Sequence, residues 1–189
     1  MQGAAYAQAQ AKHVKAKVCL VGDIGVGKTS LVRRFVLDSF DDRYIATIGT
    51  KVTKRTVPCT WRGAPALMDL VIWDIMGEKG FRQLLKESYF EGAHAVMAVC
   101  DLARRDTLAD LYGWMDLVRG NAGEVPVVFL GNKADLESKA VVQEPELVAI
   151  ADSHDGRYAF TSAKSGLNVE RVFHELAAEV AAVDASPPP

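Results

Sequence analysis

The residues best suited to chemistry stand together at 22–29, GDIGVGKT, directly behind the apolar run 18–21. Three glycines in eight residues let a backbone wrap closely and turn a row of N–H groups toward one anion. A helix starting near Lys28 adds its positive N-terminus at the same spot. The spacing G-x-x-x-x-G-K-[ST], set between an apolar strand and a helix over 30–37, points to nucleoside phosphates. Lys28 would then reach the β- and γ-phosphates, and the Thr29 hydroxyl would take Mg²⁺.

Two further strand ends carry polar groups. LVIWDIMG, 70–77, is an apolar strand that ends on Asp74, with Gly77 three residues on. An aspartate beside a phosphate loop can hold Mg²⁺, often through water. VVFLGNKAD, 127–135, ends in Asn132, Lys133 and Asp135. The Asp135 carboxylate can accept from both the N1–H and the exocyclic amino group of guanine, a pair that adenine lacks. The Lys133 stem can cover the base plane, and Thr161-Ser162-Ala163-Lys164 can close its other side.

These residues need strands that end on one edge of a sheet. Apolar runs at 17–21, 67–73, 95–100, 125–130 and 158–160 alternate with helical periodicity. Leu108, Leu111, Met115 and Val118 fall on one helix face; Val169, Val172, Phe173, Leu176 and Val180 fall on another. Alternation of this kind predicts an α/β fold, a mostly parallel six-stranded sheet with helices on both faces. Residues 50–61 are strand-like but polar and contain Pro58, so they are expected as an antiparallel edge strand, joined to the next by a turn at 62–65. Residues 1–14 read as a flexible leader, 15–183 as the one domain, and 184–189 as a proline-rich tail.

Composition narrows the class. The 189 residues suit one core, and a net charge of −2 gives no basic field for nucleic acid. No apolar run reaches membrane-spanning length, and residues 1–17 lack the apolar h-region of a signal peptide. Cys19, Cys59 and Cys100 are far apart and are expected to be free thiols in a reducing cytoplasm. The histidines carry no assigned role.

Taken in order, GDIGVGKT, YIATIG, WDIMGE, NKAD and TSAK make the chain resemble the Ras superfamily of small GTPases, the Rab-like branch most closely, over about 15–183. The resemblance implies a Ras-like G domain of the P-loop NTPase fold, a GTP/GDP switch with Mg²⁺. It implies that Gly22, Asp23, Ile24, Gly25, Val26, Gly27, Lys28, Thr29 and Ser30 surround the phosphates. Phe40 would pack on the base and Tyr44 cover the γ-phosphate. Thr29, Thr47 and Asp74 would form the Mg²⁺ site, Thr47 only in the GTP state. Gly77 would contact the γ-phosphate. Asn132, Lys133, Asp135 and Leu136, with Ser162, Ala163 and Lys164, would form the guanine pocket. Lys28, Thr47, Gly77 and the residue at 78 would be the catalytic set. An effector specific for the GTP state would bind the switch segments and edge strand 50–61, with an activating protein and an exchange factor acting on a monomer.

Three departures qualify this. Glu78 stands where relatives carry a glutamine that orients the attacking water, so intrinsic hydrolysis is expected to be slow. Alternatively, the chain is a locked module with negligible turnover. Ile24, beside the γ-phosphate, would crowd an incoming arginine. The chain ends PPP with no cysteine after Cys100, where relatives have prenylated cysteines. Either it has been shortened or it has no lipid anchor, as a prokaryotic or archaeal member would not.

Overall fold

The computed structural model describes residues 12–41, 47, 49–78 and 89–185. A six-stranded sheet forms from β1 (Lys12–Val21), β2 (Thr50–Trp61), β3 (Ala64–Ile75), β4 (Ala95–Asp101), β5 (Val127–Asn132) and β6 (Arg157–Phe160). The order is β2-β3-β1-β4-β5-β6, antiparallel between β2 and β3 and parallel elsewhere. Every residue of β4 and β5 is buried, as parallel strands covered on both faces require. Among the described residues the α-helices are α1 (Lys28–Leu37), α2 (Arg105–Ala122), α3 (Glu144–Asp152) and α4 (Val169–Ala185).

Alternation along the strands divides the core in two. Val18 and Leu20 of β1 face α1 and α4, where Leu31, Phe35, Phe173 and Leu176 pack. Cys19 and Val21 face α2 and α3, with Leu111, Trp114, Leu147 and Ile150. Phe35 and Phe173 stack with ring centroids 4.0 Å apart, which ties α1 to α4. All the periodic apolar positions expected on α2 and α4 are buried.

β2 lies on the sheet edge with Pro58 opposite Leu67. Arg62 and Gly63 turn the hairpin with φ of 52° and 78°, the positive values that a two-residue turn matched to strand twist needs. The boundary expected for the leader needs correction. β1 starts at Lys12, not after residue 14, because the long β3 offers it a parallel partner down to Ala66. α4 likewise runs to Ala185, past the end expected for the domain.

The chain leaves β1 for β2 and β3 on one side and returns for β4 on the other. The order reverses at β1, and a crevice outside the carboxyl ends of the strands opens there. The ends of β3 and β5 and the loops that follow β1, β5 and β6 line it.

Candidate functional site

A cleft of about 850 Å³ occupies this crevice, within the range of small-molecule sites. Between β1 and α1 the loop 22–27 forms its floor. Gly27 has φ 101°, and a Cβ there would lie 2.3 Å from Asn132 Nδ2, so the loop can touch the β5 end only with glycine. Lys28 is buried, and its ammonium donates to the carbonyls of Gly22 (2.7 Å) and Asp23 (2.8 Å). Asp23 Oδ1 accepts from the N–H of Ile24 at 2.7 Å. The loop is thus curled round a cation, with glycines and a helix start on the cleft side.

Next to it, three oxygen-bearing side chains converge. Thr29 Oγ1 donates to Asp74 Oδ2 at 2.5 Å and lies 2.8 Å from Thr47 Oγ1. Asp74 is buried at the end of β3, and its other oxygen, Oδ1, has no hydrogen-bond partner among the described residues. Burial pushes its carboxyl above the ordinary range, against the Thr29 hydrogen bond and the Lys28 charge. Lys51 also lines the cleft and pairs with Asp74 across the β2–β3 ladder. Among the described residues no cluster of His, Cys, Asp and Glu offers a softer site. Two hydroxyls and one carboxylate with an orphaned oxygen fit a hard divalent cation such as Mg²⁺. Gly77 packs on the phosphate loop so closely that a Cβ would sit 2.4 Å from the Asp23 carbonyl carbon.

At the other end, β5 and the loop after β6 meet. Asn132 is buried; its Nδ2 donates to the Val26 carbonyl at 2.8 Å, which ties this end to the phosphate loop. Its Oδ1 accepts from Thr161 Oγ1 and the Ala163 N–H. Ser162 Oγ donates to Asp135 Oδ1 at 2.6 Å. Lys133, held at φ 66°, puts its ammonium 2.7 Å from Asp101 Oδ2. Arg34 of α1 donates to the carbonyls of Ala163 (2.9 Å) and Lys164 (2.7 Å).

Most of the expected residues come together here. Ile24, Gly25, Gly27, Lys28, Thr29, Ser30, Phe40, Thr47, Asp74, Gly77, Asn132, Lys133, Asp135, Leu136, Ala163 and Lys164 line the cleft. Gly22, Asp23, Val26 and Ser162 lie behind it and support these through the contacts above. Phe40 does double duty, packing against the core as well. Glu78 is exposed and does not line the cleft. Tyr44 lies outside the described residues.

Sequence reasoning missed Arg34, Asp101 and Arg104. Asp101 is buried and accepts from Arg104 Nε at 3.2 Å as well as from Lys133; Arg104 Nη2 donates to the Ile24 carbonyl at 2.7 Å. An aspartate at a strand's carboxyl end was the signal that found Asp74, and it was there for Asp101. Nothing local marks the arginines.

The chain matches the model of the Ras family over residues 17–182. It is 36% identical to the Ras-related protein Rab-13 of the dog, Canis lupus familiaris, over 165 residues, 87% of this chain and 79% of that one. It is also 36% identical to the Ras-related protein Rab-22A of the same animal over 173 residues, 91% and 87% of the two chains. The mouse (Mus musculus) Rab-22A matches at 36% over 172 residues, 90% and 86%.

Proposed function

The chain belongs to the Ras family and is a Rab-like small GTPase, and from that premise we propose how its residues divide the work. One observation carries the reading: one cleft has a glycine loop with a buried lysine at one end and the Asp135 carboxylate at the other.

At the base end, Asp135 accepts from the guanine N1–H and amino group. Ser162 orients that carboxylate, and Phe40 and Lys133 flank the ring. An adenine offers neither of these two donors, so Asp135 would keep only its Ser162 hydrogen bond and the pairing that favours guanine would be lost. At the phosphate end, the N–H groups of loop 22–27 and the Lys28 ammonium bind the β- and γ-phosphates. Mg²⁺ held by Thr29 and Thr47, with Asp74 behind them, would neutralise charge on the phosphate oxygens. Tyr44 covers the γ-phosphate. Thr47 and Gly77 engage only while that phosphate is present, so its loss frees the segments around 40–50 and 75–90. A partner that binds the ordered form reads the state, using the switch segments and the exposed edge of β2.

Intrinsic hydrolysis is slow. Glu78 has no N–H to donate to water, and its charge repels the γ-phosphate. A second reading, a GTP-locked module, is favoured by the same glutamate together with the exposed Ile24 beside the phosphate loop. Phosphate release in a single turnover, from protein loaded with GTP and Mg²⁺, separates the two. Wild-type release within hours, faster by about tenfold or more in Glu78→Gln, supports the slow switch. GTP held intact for a day by both proteins supports the locked module. Equal rates in both would remove Glu78 from the mechanism.

A further inference from the structure

Arg104 stands behind the phosphate loop, not in the cleft: it follows β4, precedes α2, and is absent from the residues that line the cavity. Its guanidinium is spanned between two fixed acceptors. Nε lies 3.2 Å from Oδ2 of the buried Asp101, and Nη2 donates to the Ile24 carbonyl at 2.7 Å. Asp101 is itself fixed. Its Oδ1 accepts from the Ala103 N–H at 2.9 Å, its own N–H donates to Thr107 Oγ1, and its Oδ2 also faces the Lys133 ammonium. The arginine therefore presses on the phosphate loop from a rigid anchor that the base-binding strand shares.

What it presses on is one peptide group. The described residues contain no cis peptide bond, so the C=O of Ile24 and the N–H of Gly25 point in opposite directions in one plane. The carbonyl accepts from Arg104, which does not line the cleft; the N–H points away from Arg104, and Gly25 lines the cleft. A charged donor on the carbonyl fixes that plane and polarises the amide, which makes its N–H a stronger donor. During transfer of the γ-phosphoryl group, charge develops on the phosphate oxygens, and a preorganised donor aimed there lowers the barrier without reorganising.

We propose that Arg104 is a positioning residue for GTP hydrolysis, acting through the 24–25 peptide by holding the Gly25 N–H on the nucleotide phosphates. This rests on the GTPase reading above. It also gives the half-buried guanidinium a task unlike that of an ordinary surface ion pair, because one end of its span is a backbone carbonyl of the loop that binds the reacting group.

The test uses the full chain as Arg104→Ala, Arg104→Lys and Asp101→Asn. Four quantities are read: single-turnover GTP hydrolysis per bound nucleotide, dissociation of N-methylanthraniloyl-GDP, Tm, and the Gly25 amide proton shift in a ¹⁵N-labelled sample. Arg104→Ala is expected to slow hydrolysis about tenfold, short of the loss that follows complete removal of such a donor. It should move the Gly25 amide proton upfield and change GDP dissociation and Tm far less. Arg104→Lys should recover part of the rate, since one ammonium can reach the carbonyl without forking to Asp101. Asp101→Asn should fall between Arg104→Ala and wild type. A lower Tm and faster GDP loss with hydrolysis per bound GTP unchanged would overturn the proposal and leave Arg104 as an anchor of the α2 start. An unmoved Gly25 shift would overturn it too. Should wild type neither hold the labelled GDP nor cleave GTP, the GTPase reading falls, while the Gly25 shift still decides whether Arg104 governs that amide.

Discussion

The two ends of the cleft are finished to different degrees. At the base end the polar groups already have partners: Asn132 reaches Val26, Thr161 and Ala163, and Asp135 accepts from Ser162. At the phosphate end the hydroxyls of Thr29 and Thr47 lean on each other, and Asp74 keeps a buried oxygen with no partner among the described residues. A buried oxygen without a donor is costly, so the second end is stabilised by what it binds. The difference separates two tasks. A prebuilt base end gives affinity that does not depend on the state of the nucleotide. An end completed by its ligand can report whether the γ-phosphate is present.

The largest expected effect tests the first half of that statement. Asp135→Ala removes both acceptors of the guanine pair, and affinity should fall roughly a thousandfold, about 4 kcal/mol. GDP and GTP should lose equally, because the base is the same in both. Equilibrium titration with fluorescent analogues of each nucleotide measures this. Unequal losses would break the comparison, since the base end would then be sensing the phosphates.

Thr47→Ala tests the second half and should do less. Its hydroxyl, 2.8 Å from Thr29 Oγ1, is proposed to complete the cation site only with GTP bound. GTP should dissociate about tenfold faster and GDP at the wild-type rate, the size expected for one charge-assisted contact. Stopped-flow displacement of each labelled nucleotide reads the ratio. Equal acceleration of both would make Thr47 a permanent part of the site and erase the contrast between the ends.

Much of this arrangement was legible because its parts are short in sequence. GDIGVGKT, WDIMG and NKAD each run from an apolar strand into polar residues, and a parallel sheet must bring such strand ends to one edge. The hairpin was legible for the same kind of reason: Pro58 forces β2 outward, and Arg62-Gly63 suits a tight turn. What stayed hidden depends on distant pairs. Arg34 meets residues 163 and 164, and Arg104 meets Ile24, across separations of 80 residues or more. A lone arginine near a helix end looks the same whether it faces water or a carbonyl. The start of β1 was hidden because Lys12-His13-Val14-Lys15 has no apolar run of its own; β3 alone makes it a strand.

The smallest effect is expected outside the cleft, where neither end should notice. Asp69 of β3 accepts from Lys54 Nζ at 2.8 Å and Thr56 Oγ1 at 2.6 Å, with His13 Nδ1 3.7 Å away. The Lys54 hydrogen bond first, then that of Thr56, hold its carboxyl below the ordinary carboxylate range. A carboxyl whose pKa is depressed on folding stabilises the fold fully above its unfolded value of about 4, and the contribution is lost as pH falls through the lower folded value. Asp69→Asn removes that linkage. Lys54 is more than half exposed, so the fall in Tm at pH 7 should be only about 2 °C. The gap between variant and wild type should close as pH drops below about 4, the region where the wild-type carboxyl also loses its charge. Nucleotide dissociation and hydrolysis at pH 7 should match wild type. If Asp69→Asn sped the release of GTP but not of GDP, the phosphate end would extend through β2 and β3 to the far side of the sheet. The line between a finished end and an unfinished one would then have to be redrawn there.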